Sequence, residues 1–121
     1  MIQYKILNLS KGTVFLEDVI IAKSFFARLK GLLGKDNLEE DEGIIIKPCN
    51  SVHTIGMKLT IDVAFVDKNN KVIHIISEMP PGKLSPIIRG GVYAIEARAG
   101  TIERKQLNIG DKLEIIESGL K

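Results

Sequence analysis

The chain has one cysteine, two histidines, no tryptophan and 5% aromatic residues, and each scarcity excludes something. A single cysteine makes no intramolecular disulfide, so the fold must rest on a packed core, and such usage suits a reducing compartment. Few aromatics, scattered lysines and a net charge of only +2 leave no basic aromatic segment on which bases would stack, so nucleic acid is not expected as a partner. No apolar run reaches bilayer-spanning length, and Met1-Ile-Gln-Tyr-Lys-Ile lacks the charged region, apolar core and cleavage site of a signal peptide. A soluble, cytoplasmic protein with no membrane partner is expected. Internal repeats and low-complexity segments are absent too.

What is present is a globular composition. The 121 residues, 45% of them hydrophobic, predict one domain over 1–121, large enough to bury a core without disulfides or a structural metal. Ile2, Tyr4 and Ile6 alternate with Gln3, Lys5 and Leu7, and Ser10-Lys11-Gly12 turns the chain into a second strand that runs to about Ala22. Ser24 then caps a short helix whose stripe is Phe25, Leu29, Leu32 and Leu33, with Gly31 inside it and Gly34 ending it. Lys35 to Glu42 is an acidic connector without calcium-loop spacing, and Gly43-Ile-Ile-Ile reads as a strand buried on both faces. Val72 to Met79 is a strand that places His74 with Val72 and Ile76. Pro80-Pro81-Gly82 ends it and opens a loop to Gly91, a candidate lid or rim. Val92 to Arg98 is another strand, Thr101 caps a second short helix, and Leu113 to Ile116 is the last strand. The sum is an α+β, β-dominated fold: a compact, curled antiparallel or mixed sheet, or a partial barrel, with two short helices.

The stretch from Lys47 to Asp67 concentrates the chemistry. Leu59, Ile61, Val63 and Phe65 share one strand face, and Thr60, Asp62, Ala64 and Val66 the other, so Asp62 is held on a surface that turns apolar and needs a partner. Pro48 to Gly56 shows neither strand nor helix periodicity and reads as an ordered loop.

Gly43-Ile-Ile-Ile, Val52-His-Thr-Ile-Gly-Met57, Ile61-Asp-Val-Ala-Phe-Val-Asp67, Pro80-Pro81, Ala94-Ile-Glu-Ala-Arg-Ala-Gly-Thr101 and Ile109-Gly-Asp111 together resemble domain-of-unknown-function family 192, also called uncharacterised protein family 0127. The resemblance covers about 15–116, including Arg28-Leu-Lys-Gly31-Leu-Leu-Gly34, and departs from the family pattern at Ile55 and Thr60. It implies a compact, mostly β fold and no particular reaction.

From the residues themselves, Cys49, His53 and Met57 are soft or borderline donors four apart, of the kind that bind copper(I) or zinc. Recognised metal motifs supply more ligands at tighter spacing, so no metal is assigned; the alternative is a buried cysteine, a backbone-bonded histidine and a gap-filling methionine. His53 with Asp62 has the composition of a general base and its orienting acid, with Cys49 as a nucleophile, although no serine elbow accompanies it. The alternative is that Asp62 staples the loop by accepting its amides or by pairing with Arg98 or Lys58. Glu96 and Arg98 share a strand face, as an ordinary exposed ion pair would. Lys83 and Arg89 flank the proline-rich loop. The function expected is a non-enzymatic module binding a small ligand or protein partner in a polar pocket of His53, Met57, Asp62, Cys49 and Arg98, no cofactor being specified. The alternative is a small hydrolase or transferase using His53 and Asp62. Exposed edge strands are compatible with a monomer or a weak homodimer.

Overall fold

Isoleucine, valine and phenylalanine cluster in segments of five to ten residues separated by turns, and these segments become the strands of one sheet. The computed structural model describes residues 1–120; the side chains of Phe25, Phe26 and Leu29 lie outside that description. The elements in chain order are β1 (Ile2–Asn8), β2 (Thr13–Ala22), α1 (Phe25–Lys30), β3 (Glu42–Ile46), β4 (Ile61–Val66), β5 (Val72–Met79), β6 (Tyr93–Arg98), α2 (Thr101–Arg104) and β7 (Leu113–Leu120). The sheet order is β5-β4-β6-β3-β2-β1-β7. Every pairing is antiparallel except β2 with β3, which run parallel because the chain crosses over through α1 and the acidic connector. The architecture is the expected β-dominated curled mixed sheet.

The curl stops short of closure. An isolated bridge joins Lys71 to Lys112, and the Val72 and Leu113 amides donate to the Asp111 and Asn70 carbonyls, but β5 and β7 do not pair along their lengths. Inside the curl lies a core drawn from all seven strands, with Ile6, Leu16, Ile45, Ala64, Val72, Ile95 and Leu113 at its centre. A second core covers the other face of β3, β4 and β6, where Ile44, Ile46, Val63, Phe65 and Ala94 meet Leu32, Leu38, Val52 and Met57. β3 and β4 are therefore buried on both faces, as the apolar run Gly43-Ile-Ile-Ile predicts for β3.

Several local expectations change. Ser24 does cap α1, its Oγ accepting from the Ala27 amide at 3.1 Å, but the helix ends at Gly31 (φ +46°) rather than Gly34. Of the expected helical stripe, Leu32 is buried and Leu33 half-buried, while the Phe25 and Leu29 side chains fall outside the described residues. His74 does not share a face with Val72: a register shift at Ile73 sets His74 opposite Phe65 on the outer face and Val72 opposite Val66 on the inner one. α2 is capped by Gly100 in a left-handed conformation, and Thr101 makes no cap bond. β7 extends to Leu120, four residues further than expected, because it pairs with the whole of β1.

Candidate functional site

Asp62 is 1% exposed and finds its company away from the loop that precedes it. Its alternation partners point inward: Asp62 stands opposite Ala97, while Val63 stands opposite Glu96 on the outer face. One carboxylate oxygen accepts from the Glu78 amide at 2.9 Å and the other from the Ile102 amide at 2.9 Å. The first bond fills the register shift in β5, where Glu78 takes φ +52°; the second caps α2 in place of the side chain that Thr101 does not supply. The staple expected at Asp62 exists, but it joins β4 to β5 and α2 rather than to the 49–58 loop. His53 and Asp62 therefore lie toward opposite faces of the sheet and do not form a base and its orienting acid.

On the outer face the residues come together differently. A cavity of about 300 Å³ opens between α1 with the turn after it and the 48–57 loop, over β3 and β6. Leu32, Leu33, Ile46, Val52 and Met57 give it an apolar wall; Arg28, Lys30, Cys49, His53 and Glu96 give it charge and chemistry. Cys49, His53 and Met57 thus share one lining, although on an irregular loop and not on a helix face. Among the described residues no three of histidine, cysteine, aspartate and glutamate stand together as metal ligands.

Three buried polar atoms in this lining have no hydrogen-bond partner among the described residues: Arg28 Nε, His53 Nδ1 and Glu96 Oε1. Such atoms are rare because desolvation without a replacement bond is costly. Glu96 is only 2% exposed, and burial pushes its carboxyl up to about 7. It stands between Ile44 of β3 and Val63 of β4, and a β-carbon on Gly31 would lie 3.6 Å from its Oε1. Arg28 has one guanidinium nitrogen tied to the Pro48 carbonyl at 3.0 Å, which leaves Nε for the cavity. Burial, then the charge of Glu96, raises the Cys49 thiol; Arg28 and the Ser51 backbone oppose this without reversing it. The thiol donates to the Ser51 carbonyl at 3.1 Å.

The loop from Pro80 to Gly91 is a buttress rather than a lid, and its residues do not line the cavity. Its Lys83 carbonyl accepts from the Thr54 amide, the Ser85 amide donates to Val52, and the Ile88 amide donates to Asn50. Thr54, fully buried, donates its hydroxyl to the Pro80 carbonyl at 2.6 Å and accepts from the Lys83 amide.

Of the five expected site residues the structure gathers Cys49, His53 and Met57, and separates Asp62 and Arg98. Arg98 is exposed beside Asp18, Glu39 and Asp41 in a different depression, so it makes no pair with the buried Glu96. Arg28 escaped sequence reasoning as a site residue, and Glu96, read there as half of an exposed ion pair with Arg98, is instead buried in the cavity wall. The available signal was the acid at Glu96 in the apolar run of β6, the same signal that drew attention to Asp62.

The fold and site define a strand-rich domain of curled mixed sheet with a polar-lined cavity on its outer face. Solved structures share this fold. A protein of unknown function from Novosphingobium aromaticivorans superimposes with a TM-score of 0.81 at 21% identity, over 93% of this chain and 84% of that one. A Sinorhizobium meliloti protein described as a candidate transcription regulator gives 0.77 at 24% identity, over 98% and 95%. At such identities the likeness speaks for the fold alone. In sequence, a UPF0127 protein of Thermococcus sibiricus is 31% identical over 115 residues, 90% of this chain and 73% of the relative. The family described as Uncharacterized ACR, COG1430, matches residues 7–115, and the chain belongs to this family, DUF192 or UPF0127. Among the described residues no helix is long and apolar enough to cross a membrane.

Proposed function

We propose that this protein is a non-enzymatic binding module and that a small ligand occupies the cavity between α1 and the 48–57 loop. The observation that carries the reading is that Arg28, His53 and Glu96, each with a buried side-chain atom that has no partner among the described residues, line one concave site with an apolar wall. Ligand sites have this make-up: mostly apolar lining, a few convergent polar groups and a group of shifted acidity. The hydrolase or transferase reading has less support, because both oxygens of Asp62 are taken by backbone amides and burial disfavours the Cys49 thiolate that a nucleophile needs.

Backbone amide NMR of the full chain against a metabolite library tests the proposal. Shifts confined to residues around Gly31, Cys49, His53 and Glu96 are the expected result. A library that moves only amides elsewhere would overturn it. Cys49 alkylation supplies an independent check: slow reaction at neutral pH is expected, whereas a fast, low-pKa thiol would restore the enzyme reading.

A further inference from the structure

The cavity's unpartnered groups differ in kind, and the difference selects a ligand. Arg28 Nε only donates. Glu96 accepts when ionised and donates when protonated, and its apolar neighbours Ile44 and Val63 favour the protonated form. The other charged or titratable groups lining the cavity with it are Arg28 and Lys30 from α1 and Cys49 and His53 from the loop; among the described residues no second carboxylate lines the cavity. The permanent charges there are positive. Opposite them, Leu32, Leu33, Ile46, Val52 and Met57 offer an aliphatic surface. A volume of about 300 Å³ holds roughly ten atoms the size of a liquid water.

We infer that the site takes a small aliphatic carboxylate, its anionic head accepting from Arg28 Nε and hydrogen-bonded to the Glu96 carboxyl, its tail on the leucine, isoleucine, valine and methionine wall. This rests on the binding-module reading above and gives that site a ligand class. The head satisfies two of the three orphaned atoms, and His53 Nδ1 is left to bond the same group or a hydroxyl near it.

The test uses the full chain and three probes of one shape: butyrate, butyramide and butylammonium. Titrations are followed by amide shifts of the cavity residues at millimolar concentration between pH 6 and pH 8. Butyrate should bind, and its affinity should fall by about tenfold from pH 6 to pH 8 as Glu96 loses its proton. Glu96→Gln replaces the carboxylic acid with an amide donor of the same shape, so it should keep butyrate binding and lose most of the pH dependence. Arg28→Gln should weaken butyrate at least several-fold while amides outside the cavity stay in place. Preferential binding of butyramide or butylammonium in the cavity would overturn the carboxylate assignment and leave the binding reading intact. Glu96→Gln abolishing butyrate binding would also overturn it, since Glu96 would then be accepting from the ligand. Silence of all three probes overturns this inference, and the wider metabolite screen then decides the binding reading on its own.

Discussion

Replacing Asp62 by asparagine tests how β4 is held to β5 and α2. The carboxylate accepts two backbone amides at 2.9 Å, one in the irregular end of β5 and one in the first turn of α2, and is 1% exposed. Asparagine keeps one acceptor and turns an NH₂ group toward the other amide, so one buried N–H loses its partner and faces a second donor. Hydrogen bonds to charged groups contribute about 1.5–3 kcal/mol each, and an orphaned buried donor costs about 1–3 kcal/mol. The expected loss is therefore about 3 kcal/mol out of a total stability of roughly 5–15 kcal/mol. In urea, with a slope of about 1–3 kcal/mol per molar, the unfolding midpoint should fall by about 1–3 M at unchanged slope. Hydrogen exchange should locate the damage, with the Ile102 and Glu78 amides exchanging faster and those around Cys49 and His53 unaffected. A loss below about 0.5 kcal/mol, in the range of ordinary surface substitutions, would refute the assignment of Asp62 as the staple.

Other consequences follow from the same contacts. The raised pKa of Glu96 makes the native chain hold a proton that the unfolded chain has released, so stability should fall as pH rises from about 4.5 to about 7, by about 3 kcal/mol, and then level off; Glu96→Gln should remove this slope in urea titrations across pH. Asp111 behaves oppositely: burial pushes it up, but the Lys11 ammonium at 2.7 Å, the Asn108 amide and Asn8 outweigh burial and hold it below the usual carboxylate range. Its contribution is present above its unfolded pKa and is lost on acidification, so Asp111→Asn should destabilise the protein at pH 7 and matter less in strong acid, as acid-unfolding curves would show. Gly43→Ala should cost about 1–3 kcal/mol in thermal or urea unfolding, because its β-carbon would meet Leu16 Cδ1 at 2.7 Å and the Glu96 carbonyl oxygen at 2.8 Å, and a backbone atom yields little.

Most of the strand framework was legible because it depends on local signals. An apolar run marked β3, alternation marked β4, the proline pair ended β5, and Ser10-Lys11-Gly12 marked the first turn. What escaped depends on contacts between segments distant in sequence. The shift at Ile73 reverses the facing of His74, and no residue type announces it. The parallel pairing of β2 with β3 follows from where α1 packs, which periodicity does not encode. The candidate site was half visible: Cys49, His53 and Met57 are close in sequence and share a loop, whereas Arg28 and Glu96 reach them from 21 residues upstream and 47 downstream of Cys49. Asp62 was correctly read as an acid that needs partners, but alternation alone does not say which element waits on the inner side.

The union of β1 with β7 has a bearing on how the chain reaches this state. Ile2 is opposite Leu120 and Asn8 opposite Leu113, so strands more than a hundred residues apart must meet before the sheet is whole. Such distant pairing slows folding, because loop entropy is lost before the contact forms. During synthesis the free side of β1 must wait, unpaired, until β7 emerges, and a ribosome stalled before Leu113 would present that bare ribbon to any neighbouring chain.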